Sequence, residues 1–144
     1  MDHYFSELDP DLVPLVQEVR RIIKTAMPYA YETVRFHRPV YYWEGKRICT
    51  IIDIPYGRRV KWIHIALFNN LPHVESDILR RRRNLTRLMQ ISLKSLMEIK
   101  LKEYEIVRIL THIRKELDKE AGYPDKEDSD KSVIIKTDES SNHQ

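Results

Sequence analysis

The chain carries a single cysteine, Cys49, in 144 residues. One thiol closes no internal disulfide and supplies no zinc-knuckle cluster, so ordinary packing has to hold the fold. Long apolar runs are absent too: none reaches the roughly 18 residues of a membrane-crossing helix. The opening Met1-Asp2-His3-Tyr4-Phe5-Ser6-Glu7 has no basic segment leading into an apolar one, so it does not read as a signal peptide. Together these absences predict a soluble, reduced, cytoplasmic protein with no membrane partner. Glycine is scarce, three residues in all, and each falls where a turn or a helix stop is wanted.

What is present fits one domain. An apolar fraction of 42% suffices for a core, and a charged fraction of 33% is high. The net charge of +3 is unevenly spread: residues 122–144 hold six acids and three lysines, so they carry −3 and the remainder +6. From Tyr123 the chain is polar and rich in Ser, Asp and Lys. The expectation is a domain over 1–121 and a disordered charged tail over 122–144, with Val133-Ile134-Ile135 as its one patch able to dock.

Asp11 is a good N-cap, and Pro14 then falls in a first turn, where its missing N–H does no harm. Leu12, Leu15, Val16, Val19, Ile22, Ile23 and Ala26 recur at helical spacing until Pro28, which predicts a helix over 12–27. A last helix from about Lys102 to Ala121 follows from Ile106, Val107, Ile109, Leu110, Ile113 and Leu117, stopped by Gly122 and Pro124. Ser95-Leu96-Met97-Glu98 has capping-box spacing and predicts a separate turn of helix. Glu75–Arg82 reads as a short helix and Thr86–Leu93 as a strand.

Between Phe36 and Phe68 the pattern is three strands joined by two similar turns, Glu44-Gly45-Lys46-Arg47 and Tyr56-Gly57-Arg58-Arg59. Gly45-Lys46 and Gly57-Arg58 both have the Gly-X form of a type II′ hairpin loop. That form pairs Trp43 with Ile48, Tyr41 with Thr50 and Arg38 with Asp53. It also pairs Ile52 with Ile63, Thr50 with Ile65 and Ile48 with Leu67. The core face then holds Tyr41, Trp43, Ile48, Ile52, Ile54, Ile63, Ile65 and Leu67. The other face holds Val40, Tyr42, Cys49, Ile51, Trp62, His64, Ala66 and Phe68, and is too apolar to lie bare in water. The fold class expected is α+β: a central antiparallel sheet built on a double β-hairpin, flanked by N-terminal and C-terminal helices.

Tyr42, Cys49, Trp62, His64 and Phe68 thus share the second face as a candidate ligand-binding set, with rings as walls and a few polar groups. The plainer alternative is a covered core layer in which His64 hydrogen-bonds a neighbour. One histidine and one cysteine are too few for a metal site, so no metal ligand is assigned. Cys49 and His64 have the residue types of a nucleophile and a base, but no orienting group or oxyanion hole accompanies them. A mid-strand cysteine is ordinarily a small buried hydrophobe, so no catalytic residue is assigned and the chain reads as non-enzymatic. Arg80, Arg81, Arg82 and Arg83, with Arg58, Arg59 and Lys61, form a candidate anion-binding set for the phosphate of a nucleic acid or a metabolite. A solvated helix end is the plainer account of that run, and no nucleic-acid module signature accompanies it. Arg38 opposite Asp53 reads as a cross-strand ion pair.

One order of residues adds a resemblance. Met27-Pro28, then Glu32-Thr33-Val34-Arg35-Phe36, Pro39-Val40, Trp43-Glu44-Gly45-Lys46-Arg47-Ile48-Cys49 and the strand Ile63–Phe68 resemble the YdhG-like family. Arg87-Leu88-Met89-Gln90-Ile91, Ser95-Leu96-Met97-Glu98-Ile99 and the amphipathic helix after them match in outline, so the likeness covers about residues 10–120. The resemblance implies an α+β domain with an antiparallel sheet. Some members are described as frataxin-like iron chaperones, which makes iron a cofactor by resemblance alone. Members carry a glycine after the strand equivalent to Ile63–Phe68; here Asn69-Asn70 stand there, and asparagine tolerates the left-handed region. Helix 12–27 pairs Glu18 with Arg20, Arg21 and Lys24, in place of the acidic surface an iron donor would show. Glu32 stands in the motif position and is expected to cap or orient a strand. The functions expected, in order, are binding of a small ligand or protein partner, iron handling, and weak nucleic-acid or phosphate binding.

Overall fold

The computed structural model describes residues 1–56, 60–81 and 89–122, and for 54–56, 60 and 61 it describes the backbone. The chain folds as helices α1 (Asp2–Glu7) and α2 (Val13–Ala26), strands β1 (Tyr31–Arg35), β2 (Arg38–Trp43), β3 (Lys46–Tyr56), β4 (Val60–Leu67), β5 (Arg80–Arg81) and β6 (Met89–Leu93), and helix α3 (Leu96–Glu120). The strands form one antiparallel sheet in the order β1-β2-β3-β4-β6-β5. This is the α+β class the sequence predicts. No helix among the described residues is long and apolar enough to cross a membrane.

Helix α2 buries Leu15, Val16, Val19, Ile22, Ile23 and Ala26, the stripe read from the sequence. Its start differs by one residue. Leu12 holds the N-cap position without a side-chain cap, and the Asp9 carboxylate accepts the Asp11 N–H at 2.9 Å. Helix α1 has no counterpart in the sequence reading; six residues are too few to show periodicity, yet Tyr4 and the following Leu8 enter the core. Helix α3 is continuous, where two helical pieces are expected. The Ser95 Oγ accepts the Glu98 N–H at 3.1 Å, so the capping box opens the long helix itself. Ile99 lies one heptad before Ile106 and is equally buried, which carries the stripe across the supposed gap.

The hairpins correct the expected register. Glu44 and Gly45, at φ 49 and 81, form the β2–β3 turn, so the tight loop lies one residue earlier than Gly45-Lys46. Trp43 faces Lys46 and Tyr42 faces Arg47; a bulge then makes Tyr41 face Cys49 and Val40 face Thr50. Ile48 is the extra residue and remains fully buried. On the other side of β3, Cys49 faces Leu67, Ile51 faces Ile65 and Ile52 faces His64. Most of β3 is therefore inverted relative to the expectation. Cys49 and Ile51 point to the helices, and Ile52 to the other face, while β2 and β4 keep the predicted faces. Asp53 faces Ile63, and no ladder pair joins it to Arg38. The expected Gly57-Arg58 turn lies outside the described residues.

Two elements differ further on. Residues 77–78 are a turn and Arg80–Arg81 a short strand on β6, where a helix over Glu75–Arg82 is expected. Strand β6 is described from Met89. Asn70 takes φ 66, as its tolerance of the left-handed region allows.

The core lies between the helices and one face of the sheet. It joins residues of α1, α2 and α3 to Tyr41, Trp43, Ile48, Cys49, Ile51, Ile63, Ile65, Leu67, Ile91 and Leu93. Glu32 ties α2 to this face from β1. It accepts from Arg20 Nε at 2.8 Å and Nη2 at 2.9 Å and from the Tyr41 hydroxyl at 2.7 Å, with Lys24 Nζ 3.4 Å away. Burial opposes its ionisation, but the hydrogen bonds from Arg20 and Tyr41 outweigh it and hold the carboxyl down at about 2.

Candidate functional site

The face turned away from the helices follows from the ladder. Residues directly opposite each other share a face, so rows can be read across the sheet. Tyr31, Tyr42 and Arg47 form one row. Thr33, Val40, Thr50, Ala66, Gln90 and Arg80 form a second, which crosses all six strands. Ile52, His64 and Ser92 form a third, and Trp62 continues β4 on the same side. Among the described residues, none of these outward positions is an aspartate or glutamate. The chain has 22 acidic residues, yet the charged side chains at the described outward positions of these rows are the cations Arg47 and Arg80.

Its centre is closed and its rim is open. Val40, Thr50, Ile52, His64 and Ala66 are all buried, and Val40, Ile52 and Ala66 stand apart from the helix-side core cluster. The Thr50 hydroxyl donates to the Pro39 carbonyl at 2.8 Å, and His64 Nδ1 lies 2.9 Å from the Ser92 hydroxyl. Around this centre, aromatic rings lie beside cations. The Arg47 guanidinium lies 4.7 Å over the Phe68 ring, and Lys94 Nζ 4.2 Å over the Trp62 ring. Tyr31 and Tyr42 approach to 6.0 Å, tilted, and Trp62 meets the His64 ring edge-on at 6.3 Å. A cleft of about 690 Å³ opens here, lined by Arg35, Phe36, Tyr42, Gly45, Lys46, Arg47, Phe68, Asn69 and Asn70.

Four of the five predicted ligand residues, Tyr42, Trp62, His64 and Phe68, share this face. They form two groups: Tyr42 and Phe68 line the cleft, while Trp62 and His64 touch each other further along β4. Cys49 does not join them. It lies in the helix-side core, fully buried, and that burial pushes its thiol up to about 12. Cys49 and His64 therefore point to opposite sides of the sheet and do not meet as nucleophile and base. Of the arginine run, Arg80 belongs to the outer row. Arg81 lines a cleft on the helix side with Leu67, Met89 and Ile113. Arg82 and Arg83 lie outside the described residues. Among the described residues no group of three or more His, Cys, Asp or Glu side chains comes together.

Sequence reasoning missed Tyr31, Arg35, Phe36, Arg47 and Lys94. The first three belong to a hairpin that carries no glycine: Phe36 and His37, at φ 54 and 64, make the β1–β2 turn. The Phe36 ring at its tip is 89% exposed. A second cleft, about 520 Å³, lies behind that turn between His3, Tyr4 and Glu7 of α1 and His37, Arg38 and Asp53. At its edge the Tyr4 hydroxyl is buried without a hydrogen-bond partner; burial, then the charge of Asp53, raises its pKa. No family model, no curated protein and no solved structure matches this chain.

Proposed function

We propose that the protein is a non-enzymatic binding module whose outer sheet face holds a ligand carrying both a planar ring system and negative charge. The observation that carries this reading is the pairing of rings with cations at outward strand positions that, among the described residues, hold no carboxylate: Arg47 lies over Phe68 beside Tyr42 and Lys46 in the cleft, and Lys94 lies over Trp62 further along the face. A ring stacks on an aromatic side chain, and a neighbouring guanidinium or ammonium meets the charge attached to it. A cleft that sets Arg35, Lys46 and Arg47 beside the rings of Phe36, Tyr42 and Phe68 suits such a ligand. The resemblance to the YdhG-like family agrees with a small binding domain.

Adenosine monophosphate is the simplest probe with both features. Calorimetric titration should show saturable binding that inorganic phosphate alone and adenosine alone reproduce only weakly. Tyr42→Ala and Arg47→Gln should each weaken it at least fivefold. Equal heats from phosphate and from the nucleotide would mean that the rings contribute nothing, and the reading would be lost.

A further inference from the structure

The ring–cation pairing occurs more than once on the outer face. At the β1 edge, Tyr31 and Tyr42 stand beside Arg47 in one row. Beyond them Arg47 lies over Phe68. At the far end of β4, Lys94 of the β6 side lies over Trp62. A mononucleotide uses one ring and one cation, and a face that repeats the pair has capacity left over. The centre of the face is buried, so the open track is its rim: with neighbouring strands about 4.8 Å apart, three spacings separate Tyr31 on β1 from Phe68 just past β4, roughly 14 Å, long enough for two or three nucleotides. We infer that the outer face binds single-stranded nucleic acid, with bases on the rings and phosphates on the adjacent cations. This rests on the reading of that face given above.

Three features favour a single strand over other polyanions. Exposed rings are idle against a duplex, whose bases are stacked inside, but they are the standard platform for unstacked bases. The cations come with rings: Arg35, Lys46 and Arg47 line one cleft with Phe36, Tyr42 and Phe68, so a phosphate is met where its base can stack. Among the described residues the outward strand positions hold no carboxylate, which removes a repulsion that would otherwise meet a backbone. Tyr31 is 66% exposed and Phe36, at the tip of the adjoining turn, 89% exposed, so two rings are free to receive bases without rearrangement of the sheet.

The test is fluorescence anisotropy of labelled single-stranded 12-mers, uridine and thymidine, against a duplex of equal length and inorganic polyphosphate. Either single strand should bind at least tenfold tighter than duplex or polyphosphate. Tyr31→Ala and Phe36→Ala remove exposed rings and should each weaken binding five- to tenfold, within the range of base–ring stacking. Arg47→Gln should lower the salt slope by about 0.7, one phosphate contact on a single strand. Lys100→Gln, on an exposed position of α3 on the other side of the sheet, should leave it unchanged. Equal losses from Arg47→Gln and Lys100→Gln, or polyphosphate competing as well as the oligonucleotides, would show diffuse charge and overturn the inference. Oligonucleotides that fail while adenosine monophosphate still binds would remove the polymer and leave the small-ligand reading intact; failure of both would remove both.

Discussion

The two faces of the sheet are built from the same alternation and end up with opposite chemistry. On the helix side, apolar positions from β2, β3, β4 and β6 meet α2 and α3, and several polar groups are paired across elements, the Tyr4 hydroxyl apart. The Trp43 indole donates to Asp118 at 2.8 Å, Arg114 donates to the Ala26 carbonyl at 3.0 Å, and Glu32 is held by Arg20 and Tyr41. On the outer side, the described strand positions hold no acid and cations lie over rings. Buried polar groups paired between elements fix one arrangement, whereas cations over rings at a partly open rim remain available to something arriving from solution. The comparison teaches that one face specifies the fold and the other is left for recognition.

The chain's two tryptophans lie one on each face, and the inner one gives the largest expected effect. Trp43 is fully buried, hydrogen-bonded to Asp118 and 5.5 Å from the Arg114 guanidinium. Trp43→Ala should cost about 4 kcal/mol in urea unfolding, the range for deleting a large core ring. Next comes Glu32. Its carboxyl is lowered from 4.5 to about 2, so its contribution is complete above about pH 5 and is lost as pH falls through 2. Linkage makes that contribution roughly 3 kcal/mol. Glu32→Gln should therefore destabilise at pH 7 by about 2–3 kcal/mol and by little at pH 2, because acid has already removed what the variant removes. Paired urea titrations of the two proteins at both pH values read this directly. A constant gap would mean the carboxylate is not the origin of the effect. Trp62 is half-buried on the outer face, beyond the cleft, and Trp62→Ala should cost only about 1–1.5 kcal/mol and leave adenosine monophosphate binding at the cleft nearly unchanged. If both tryptophan variants lost the same stability, the division of labour between the faces would be wrong.

The division was legible in part. Helices α2 and α3 declare themselves by apolar residues at helical spacing, and β2 and β4 alternate cleanly enough that Tyr41, Trp43, Ile63, Ile65 and Leu67 fall on the right side. Strand β3 is where local rules fail. Residues 48–52, Ile-Cys-Thr-Ile-Ile, alternate weakly, so the turn has to set the phase. The turn uses Glu44 in the left-handed region, which a side chain of that type rarely adopts, in preference to the Gly-X loop. The bulge beside Tyr41 and Tyr42 then adds Ile48 to one strand only. Both choices are made by packing against the helices, through Ile48 and Trp43, which no local pattern reports. For the same reason Cys49 reads as a site residue and is a core residue. Hairpin β1–β2 was hidden because Phe36-His37 carries none of the usual turn residues, and with it went Tyr31 and Arg35. Arg80 and Arg81 share a run in sequence, but a strand sends them to opposite faces.

That hairpin gives the smallest and most discriminating effect. Two consecutive non-glycine residues at positive φ are strained, and Phe36 additionally exposes nearly its whole ring to water. A turn selected for stability alone would carry Asn-Gly, which takes both dihedrals at little cost. Replacing Phe36→Asn together with His37→Gly should therefore raise stability by up to about 1 kcal/mol, the relief of left-handed strain less the extra freedom glycine has when unfolded. The same replacement should weaken oligonucleotide binding by at least fivefold, because it removes an exposed ring next to the Arg35–Arg47 cleft. Stability rising while binding falls is the pattern of a strained functional turn. Stability and binding both falling would instead make the Phe36 ring part of the fold, and the cleanest contrast between the two faces would be lost.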